Sequence, residues 1–178
     1  MEKNNIDLTY ELKLAEQAKS GSKEAFCELY SGYKDKLYRY ALYRLGDPQD
    51  AEDAVSDCVL AAWQGIPRLR NAEAFGGWIF RILHNCCVRQ IKAASGLREN
   101  LQHIYEAGPA SSGAGNIQAA AELREALGIL SEEDREIVLL SVIGGLTSKE
   151  ISDITDLKPG SVRSRLSRSL AKMREHLS

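Results

Sequence analysis

The sequence predicts an all-α protein of two small helical domains joined by a flexible linker, the C-terminal one containing a helix-turn-helix. Three observations carry this reading. Apolar residues recur at three- and four-residue spacing through most of the chain, which is the helical period. Helix-start signals recur at the heads of these segments, among them Ser22, Asp47-Pro48, Asn71, Ser131 and Thr147. Between Ser95 and Ile117 the period lapses into a stretch containing Gly-Pro-Ala-Ser-Ser-Gly-Ala-Gly, which reads as a linker. The expected division is 1–94, 95–117 and 118–178.

In order along the chain, Glu11 to Lys19 reads as a short helix ended by Ser20-Gly21. Ser22 then caps a longer one reaching about Leu45, whose Phe26, Leu29, Tyr30, Tyr33, Leu37, Tyr40, Ala41 and Leu45 face a core. Gly46 ends it. Asp47 caps the next helix and Pro48 takes its first position, where a missing N–H costs nothing, so this helix runs to about Gln64. Its start is acidic: Asp47, Asp50, Glu52, Asp53 and Asp57 stand together without a Lys or Arg, opposite Ala54, Val55, Val59, Ala62 and Trp63. Carboxylates near a helix start suit the macrodipole, which accounts for Asp50 and Glu52 but not Asp57. A patch this one-sided also suits a basic protein partner.

Gly65 to Arg70 reads as a loop, and Asn71 caps a helix to about Ala94 with a stripe of Phe75, Trp78, Ile79, Ile82, Leu83 and Cys86. Trp78 reads as core in preference to a base-stacking platform. From Arg68 to Lys92 there are five basic residues and one acid, Glu73, so a basic surface is expected here. After the linker, Gln118 to Leu130 is helical, and Ser131 opens a helix with Ile137, Val138, Leu140 and Val142 that stops at Gly144-Gly145.

The helix-turn-helix occupies Leu146 to Met173. Thr147 with Glu150 makes a capping box, in which side chain and backbone satisfy each other's helix-start donors, and Ile151 and Ile154 point inward. A turn falls at Asp156 to Lys158, and Pro159 opens a second helix with a stripe of Val162, Leu166, Leu170, Met173 and Leu177. At about 100° per residue the opposite face carries Ser161, Ser164, Arg168 and Ala171, flanked by Arg163 and Arg174 on one side and Arg165 and Lys172 on the other. Five basic residues and no acid lie between Pro159 and Arg174. Small residues let such a helix enter a major groove, Arg168 offers a two-pronged donor to guanine, and the flanking cations reach phosphates.

Composition excludes other classes. The net charge of −2 means that nucleic-acid binding must come from local segregation of charge. No apolar run approaches the ~20 residues of a membrane span, and Met-Glu-Lys-Asn-Asn does not resemble a signal peptide, so a cytoplasmic protein without membrane insertion is expected. Cys27, Cys58, Cys86 and Cys87 show neither paired CxxC spacing nor disulfide-scaffold density, and read as reduced core residues. No GxxxxGK loop, Ser-His-Asp set or acid–base pair is present, so no enzyme activity, cofactor or metal is expected.

Four segments, in order, resemble one family. Gly46-Asp-Pro-Gln-Asp-Ala-Glu-Asp53 with Ala62-Trp63, Phe75-Gly-Gly-Trp-Ile-Phe-Arg-Ile-Leu-His-Asn85, Leu130-Ser-Glu-Glu-Asp-Arg-Glu-Ile-Val-Leu-Leu140 and Gly160-Ser-Val-Arg-Ser-Arg-Leu-Ser-Arg168 are similar to the bacterial RNA polymerase sigma factors of the extracytoplasmic-function (ECF) type. Asp156 stands where that family often has Gly, and Lys158 where a capping Ser, Thr or Pro is usual. The resemblance implies that Asp50, Glu52, Asp53 and Asp57 bind the clamp helices of the largest subunit of core RNA polymerase. It implies that Arg68, Arg70, Asn71, Arg81 and Asn85 serve −10 recognition and melting, with a flipped base held in a pocket. Ser161, Arg163, Ser164, Arg165, Arg168 and Lys172 would then read the −35 element of promoter DNA. An anti-sigma protein commonly restrains this family, and the free chain is expected to be a monomer. A dimeric helix-turn-helix regulator that does not dock on polymerase explains the C-terminal domain alone. A protein-binding adaptor explains the acids but leaves the Ser161, Ser164 and Arg168 face idle.

Overall fold

The computed structural model describes the backbone of residues 2–98 and 117–178; most of the expected linker lies outside these residues. Among the described residues there are helices and short 3-10 turns but no strand. The helices are α1 (Glu2–Lys19), α2 (Lys23–Leu45), α3 (Pro48–Gly65), α4 (Phe75–Arg98), α5 (Ile117–Gly128), α6 (Glu132–Val142), α7 (Ser148–Thr155) and α8 (Pro159–His176). The first four pack into an N-terminal domain and the last four into a C-terminal one.

Local chemistry sets the helix ends. Ser22 Oγ accepts from Ala25 N at 3.2 Å, and Gly46 closes α2 in the left-handed region at φ 78°, open to glycine at no steric cost. Asp47 Oδ1 accepts from Asp50 N at 3.0 Å at the head of α3, and Pro48 follows at the first helical position. Ser131 likewise caps α6, its Oγ accepting from Asp134 N at 3.2 Å. Between α3 and α4 the expected loop is two 3-10 turns, Ile66–Arg68 and Ala72–Ala74. The second turn, not α4 itself, is what Asn71 caps.

The N-terminal core centres on Leu37, Tyr40, Ile66, Ile79, Phe80 and Leu83, all fully buried. Tyr40 meets Phe80 edge-on with ring centroids 5.8 Å apart, a geometry that sets a positive ring edge against a negative face. The C-terminal core is built on Ile137, Leu139, Leu140, Ile151 and Val162. Two expected core residues fall outside it: Val142 is 63% exposed near the end of α6, and Leu177, 51% exposed, lies just past α8. Leu139 and Ser169 take buried positions instead. Helix α1 begins nine residues before the expected Glu11, and α4 runs on from Ala94 to Arg98.

The two domains, expected to be joined by a flexible linker, touch. Helices α2 and α4 meet α6 and α7, and Arg44, His84, Glu132 and Glu136 form the polar heart of that contact. Of the four cysteines, Cys58, Cys86 and Cys87 are buried while Cys27 is exposed on the outer face of α2, correcting the expectation that all four are core. Burial, above all, raises the Cys58 thiol and pushes that of Cys87 up to about 12. Thiolate is the reactive form, so at about pH 8 a thiol–disulfide reagent should modify Cys27 in the native chain, and the buried thiols only after denaturant is added. Rapid labelling of Cys58 or Cys87 in the native protein would contradict this packing.

Candidate nucleic-acid interface and acidic face

The capping box opens α7: Thr147 Oγ1 accepts from Glu150 N at 3.3 Å, and Thr147 N donates to Glu150 Oε2 at 2.8 Å. Asp156 then takes the left-handed conformation at φ 59° and ψ 14°, which a short polar side chain tolerates and which turns the chain sharply. Ser152 Oγ donates to Leu157 O at 2.5 Å across that turn, and Pro159 starts α8 without a side-chain cap from Lys158. Val162, Ser169 and Met173 seat α8 on the C-terminal core, with Leu166 and Leu170 half-buried beside them.

Seating α8 this way leaves Ser161, Arg163, Ser164, Arg168 and Ala171 exposed on one continuous outer surface. Arg168 Nε donates to Ser164 O at 3.3 Å, which lays the guanidinium along the helix. Arg165 and Lys172 sit differently. Arg165 Nη1 is 2.6 Å from Glu133 Oε2 and 3.2 Å from Asp134 Oδ1, and Lys172 Nζ donates to Ile129 O at 2.9 Å. Both cations of that flank are therefore engaged in fixing α8 to the start of α6 and the end of the α5 segment. Free cationic reach lies on the Arg163 and Arg168 side.

The second cationic surface is a groove of about 330 Å³ at the start of α4. Arg68, Arg70, Asn71 and Arg81 line it together, with Trp78 and Leu69 as its apolar wall. Asn85, one turn beyond Arg81, is exposed but does not line this groove. Two glycines make the geometry possible. A Cβ on Gly76 would come 3.1 Å from Tyr33 Oη, and one on Gly77 would meet Glu150 of α7 at 3.2 Å. Trp78, expected in the core, is half-buried, its ring close over Gly65 and against Phe75, and it also lines the groove. Helical spacing assigned it to the inner stripe; the Gly76-Gly77 pair beside it is the feature that allows a neighbour to approach.

The acidic residues of α3 divide. Glu52, Asp53 and Asp57 are exposed, with Gln49 Nε2 donating to Asp53 Oδ1 at 3.3 Å. Asp50 is half-buried and lines a cleft with Arg44, Glu132 and Arg135 where the two domains meet. Next to the exposed acids lies a feature the charge pattern did not reveal: an apolar groove of about 450 Å³ between α2 and α3, lined chiefly by Phe26, Tyr30, Val55, Val59, Leu60 and Trp63. Leu60 is 58% exposed there, one helical face with Asp53 and Asp57 at four- and three-residue steps. An exposed leucine beside carboxylates is the surface an amphipathic helix with a basic edge would cover.

Among the described residues no group of three His, Cys, Asp or Glu stands close enough to hold a metal, and no helix is long and apolar enough to cross a membrane. Removing one partner of the Arg165 cluster tests how α8 is held. Arg165→Ala should lower stability by about 0.2–1 kcal/mol in chemical denaturation, because the pair is partly solvated, while Arg168→Ala should leave stability unchanged. Equal losses in both would contradict the division of α8 into a pinned and a free flank.

The Sigma-70 region 2 family matches residues 29–96 and the Sigma-70, region 4 family matches residues 120–173, together more than half of the chain. The ECF RNA polymerase sigma factor SigW of Bacillus subtilis is 23% identical, over 93% of this chain and 95% of its own. The RNA polymerase sigma factor CnrH of Cupriavidus metallidurans is 29% identical over 90% of each chain. The solved structure of CnrH in complex with the cytosolic domain of CnrY superposes with a TM-score of 0.71 at 25% identity, covering 94% of this chain and 97% of that one. The sigma factor RpoE of Bartonella quintana, solved with the anti-sigma factor NepR, shares the fold at a TM-score of 0.72 and 24% identity, over 88% of this chain and 98% of that one. The region 2 match spans the acidic helix and the cationic groove, the region 4 match spans the helix-turn-helix, and the chain belongs to the ECF sigma factors of bacterial RNA polymerase.

Proposed function

We propose that this chain docks on core RNA polymerase through α3, captures the displaced strand of the −10 element in the α4 groove, and reads the −35 element with α8. The observation that carries this reading is the separation of three surfaces of different chemistry: an acidic edge beside an apolar groove, a cationic groove with a tryptophan in its wall, and an exposed helix face of small residues around Arg168. Residues 1–94 form the docking and −10 unit, 95–117 the linker and 118–178 the −35 unit. The chain acts in the cytoplasm, and as a monomer when free. The alternative of a dimeric repressor leaves the first two surfaces without a role.

Each step follows from ordinary interactions. Glu52, Asp53 and Asp57 attract a basic helix, whose apolar side would cover Leu60 and Val59; Asp50, turned toward Arg44, contributes at the edge of that contact. Arg68, Arg70 and Arg81 hold backbone phosphates, Asn71 offers polar edges, and Trp78 supplies a face on which an unstacked base can rest. Melting then needs no catalytic group. The duplex opens because the separated strand gains contacts that the paired strand cannot make. On α8, Arg168 addresses a base edge from a surface of Ser161 and Ser164, while Arg163 reaches phosphate; Arg165 and Lys172 reach the backbone only if their internal partners are exchanged for phosphate.

Regulation follows from the same faces. The relative CnrH was solved with the cytosolic domain of CnrY, and the acidic and apolar face of α2 and α3 is suited to an anti-sigma helix that competes with polymerase. Two outcomes check the proposal. Arg168→Ala should weaken −35 duplex binding by about 1–3 kcal/mol and relax preference at one base position in a binding-site selection, whereas Arg163→Ala should weaken all sequences alike. Asp53→Lys with Asp57→Lys should reduce core affinity measured by fluorescence anisotropy and, with it, transcription. Undiminished core affinity in that double variant would remove α3 from the docking surface.

A further inference from the structure

The contact between the domains brings α7 over the α4 groove. Glu150 and Asp153, with Ile154, complete the same groove that Arg68, Arg70 and Arg81 line from the other side. Glu150 is close enough that a Cβ on Gly77 would lie 3.5 Å from its own Cβ. Two carboxylates three residues apart on one helix face thus occupy the approach to a cationic, aromatic-walled groove. A phosphate-bearing strand entering that groove would meet like charge and a helix already in place.

A second contact holds α7 there. Glu136 of α6 is buried, its side chain 12% exposed, and it sits between His84 and Arg44 of the other domain. Its Oε1 abuts His84 Nδ1, and its Oε2 is 3.8 Å from Arg44 Nη2. Arg44 Nη1 reaches Glu132 Oε1 at 3.0 Å, and Tyr40 Oη lies 3.5 Å from the same imidazole nitrogen. Glu136 Oε1 has no other donor, so the imidazole must present an N–H at Nδ1 for that buried oxygen to be satisfied. These groups are paired when the domains are closed and hydrated when they part.

We propose that the closed arrangement is a self-inhibited state: α7 is an internal competitor for the −10 strand, and the Glu136 cluster is the latch that keeps it in place. The proposal rests on the reading of the α4 groove as the strand-capture site. Glu136→Gln keeps the shape of the side chain but removes its charge, which leaves Arg44 buried with a weakened counter-charge in the closed state and at no disadvantage in the open one. The closed form is therefore selectively weakened. Opening uncovers the groove, so anything that favours the separated domains also favours capture of the −10 strand.

The full chain carrying Gly77→Cys and Glu150→Cys, with Cys27→Ser to remove the exposed thiol, tests closure directly, since the expected Cβ separation suits a disulfide. Air oxidation should form the cross-link in the free chain, and the oxidised chain should bind a fluorescein-labelled single-stranded DNA pool of random sequence at least about tenfold more weakly than the same chain after reduction. Glu136→Gln, which leaves every groove residue in place, should bind that pool several-fold more tightly than wild type. Failure of the cross-link to form shows that closure is not populated and overturns the proposal, as does equal DNA binding by the oxidised and reduced chains. If the wild-type, Glu136→Gln and reduced chains all fail to bind the pool while the cross-link does form, the assignment of the groove to strand capture falls, and the inhibition with it.

Discussion

Glu136 and Arg44 are charged side chains buried against each other where the domains meet, 12% and 7% exposed, and the polar contact between the domains is built around them. A carboxylate out of water is costly unless cations and donors surround it, and its neighbours His84 and Arg44 both belong to the other domain. The C-terminal domain alone offers this carboxylate water; the closed chain offers it an imidazole and a guanidinium. Closure thereby rests in part on polar contacts that water can replace. Contacts of this kind can be exchanged for a partner's at modest cost.

Charge segregation organises the rest. With a net charge of −2 the chain as a whole has no attraction for DNA, yet α3 gathers exposed acids, the α4 groove gathers arginines, and α8 presents a basic outer face. Each surface is tied to its element by local rules. Asp47 and Pro48 start α3 so that Asp53 and Asp57 fall outward, the glycine pair at the head of α4 lets Tyr33 and Glu150 approach, and Asp156 turns the chain so that α8 crosses α7 with Arg168 outward. Within α8 the cations divide their work. Arg165 and Lys172 secure the helix to its domain and leave Arg163 and Arg168 toward solvent.

Much of this was legible in the sequence because helix signals are local. Ser22, Asp47, Ser131 and Thr147 each cap the helix they precede, and Asp156 adopts the left-handed turn its side chain permits. The outer face of α8 followed from the helical period. What the period could not supply was depth: Val142 and Leu177 fit an apolar stripe yet lie near or beyond helix ends where no neighbour covers them, and Ser169 is buried because the packing there has room for a small side chain. Trp78 met the spacing of a core residue, but whether a half-buried ring faces inward or into a groove depends on the segment that passes it. The domain contact lay beyond any local signal. His84 in α4 and Glu136 in α6 are separated by residues 99–116 and by α5, and nothing in the pattern of either helix names the other.

The most direct test of the account is transcription by core RNA polymerase on a library of bacterial promoter fragments, with and without this chain, followed by sequencing of the transcript starts. Starts should depend on the chain and share two upstream elements at one fixed spacing. Starts unchanged by the chain, with the free protein binding duplex tightly by itself, would contradict it.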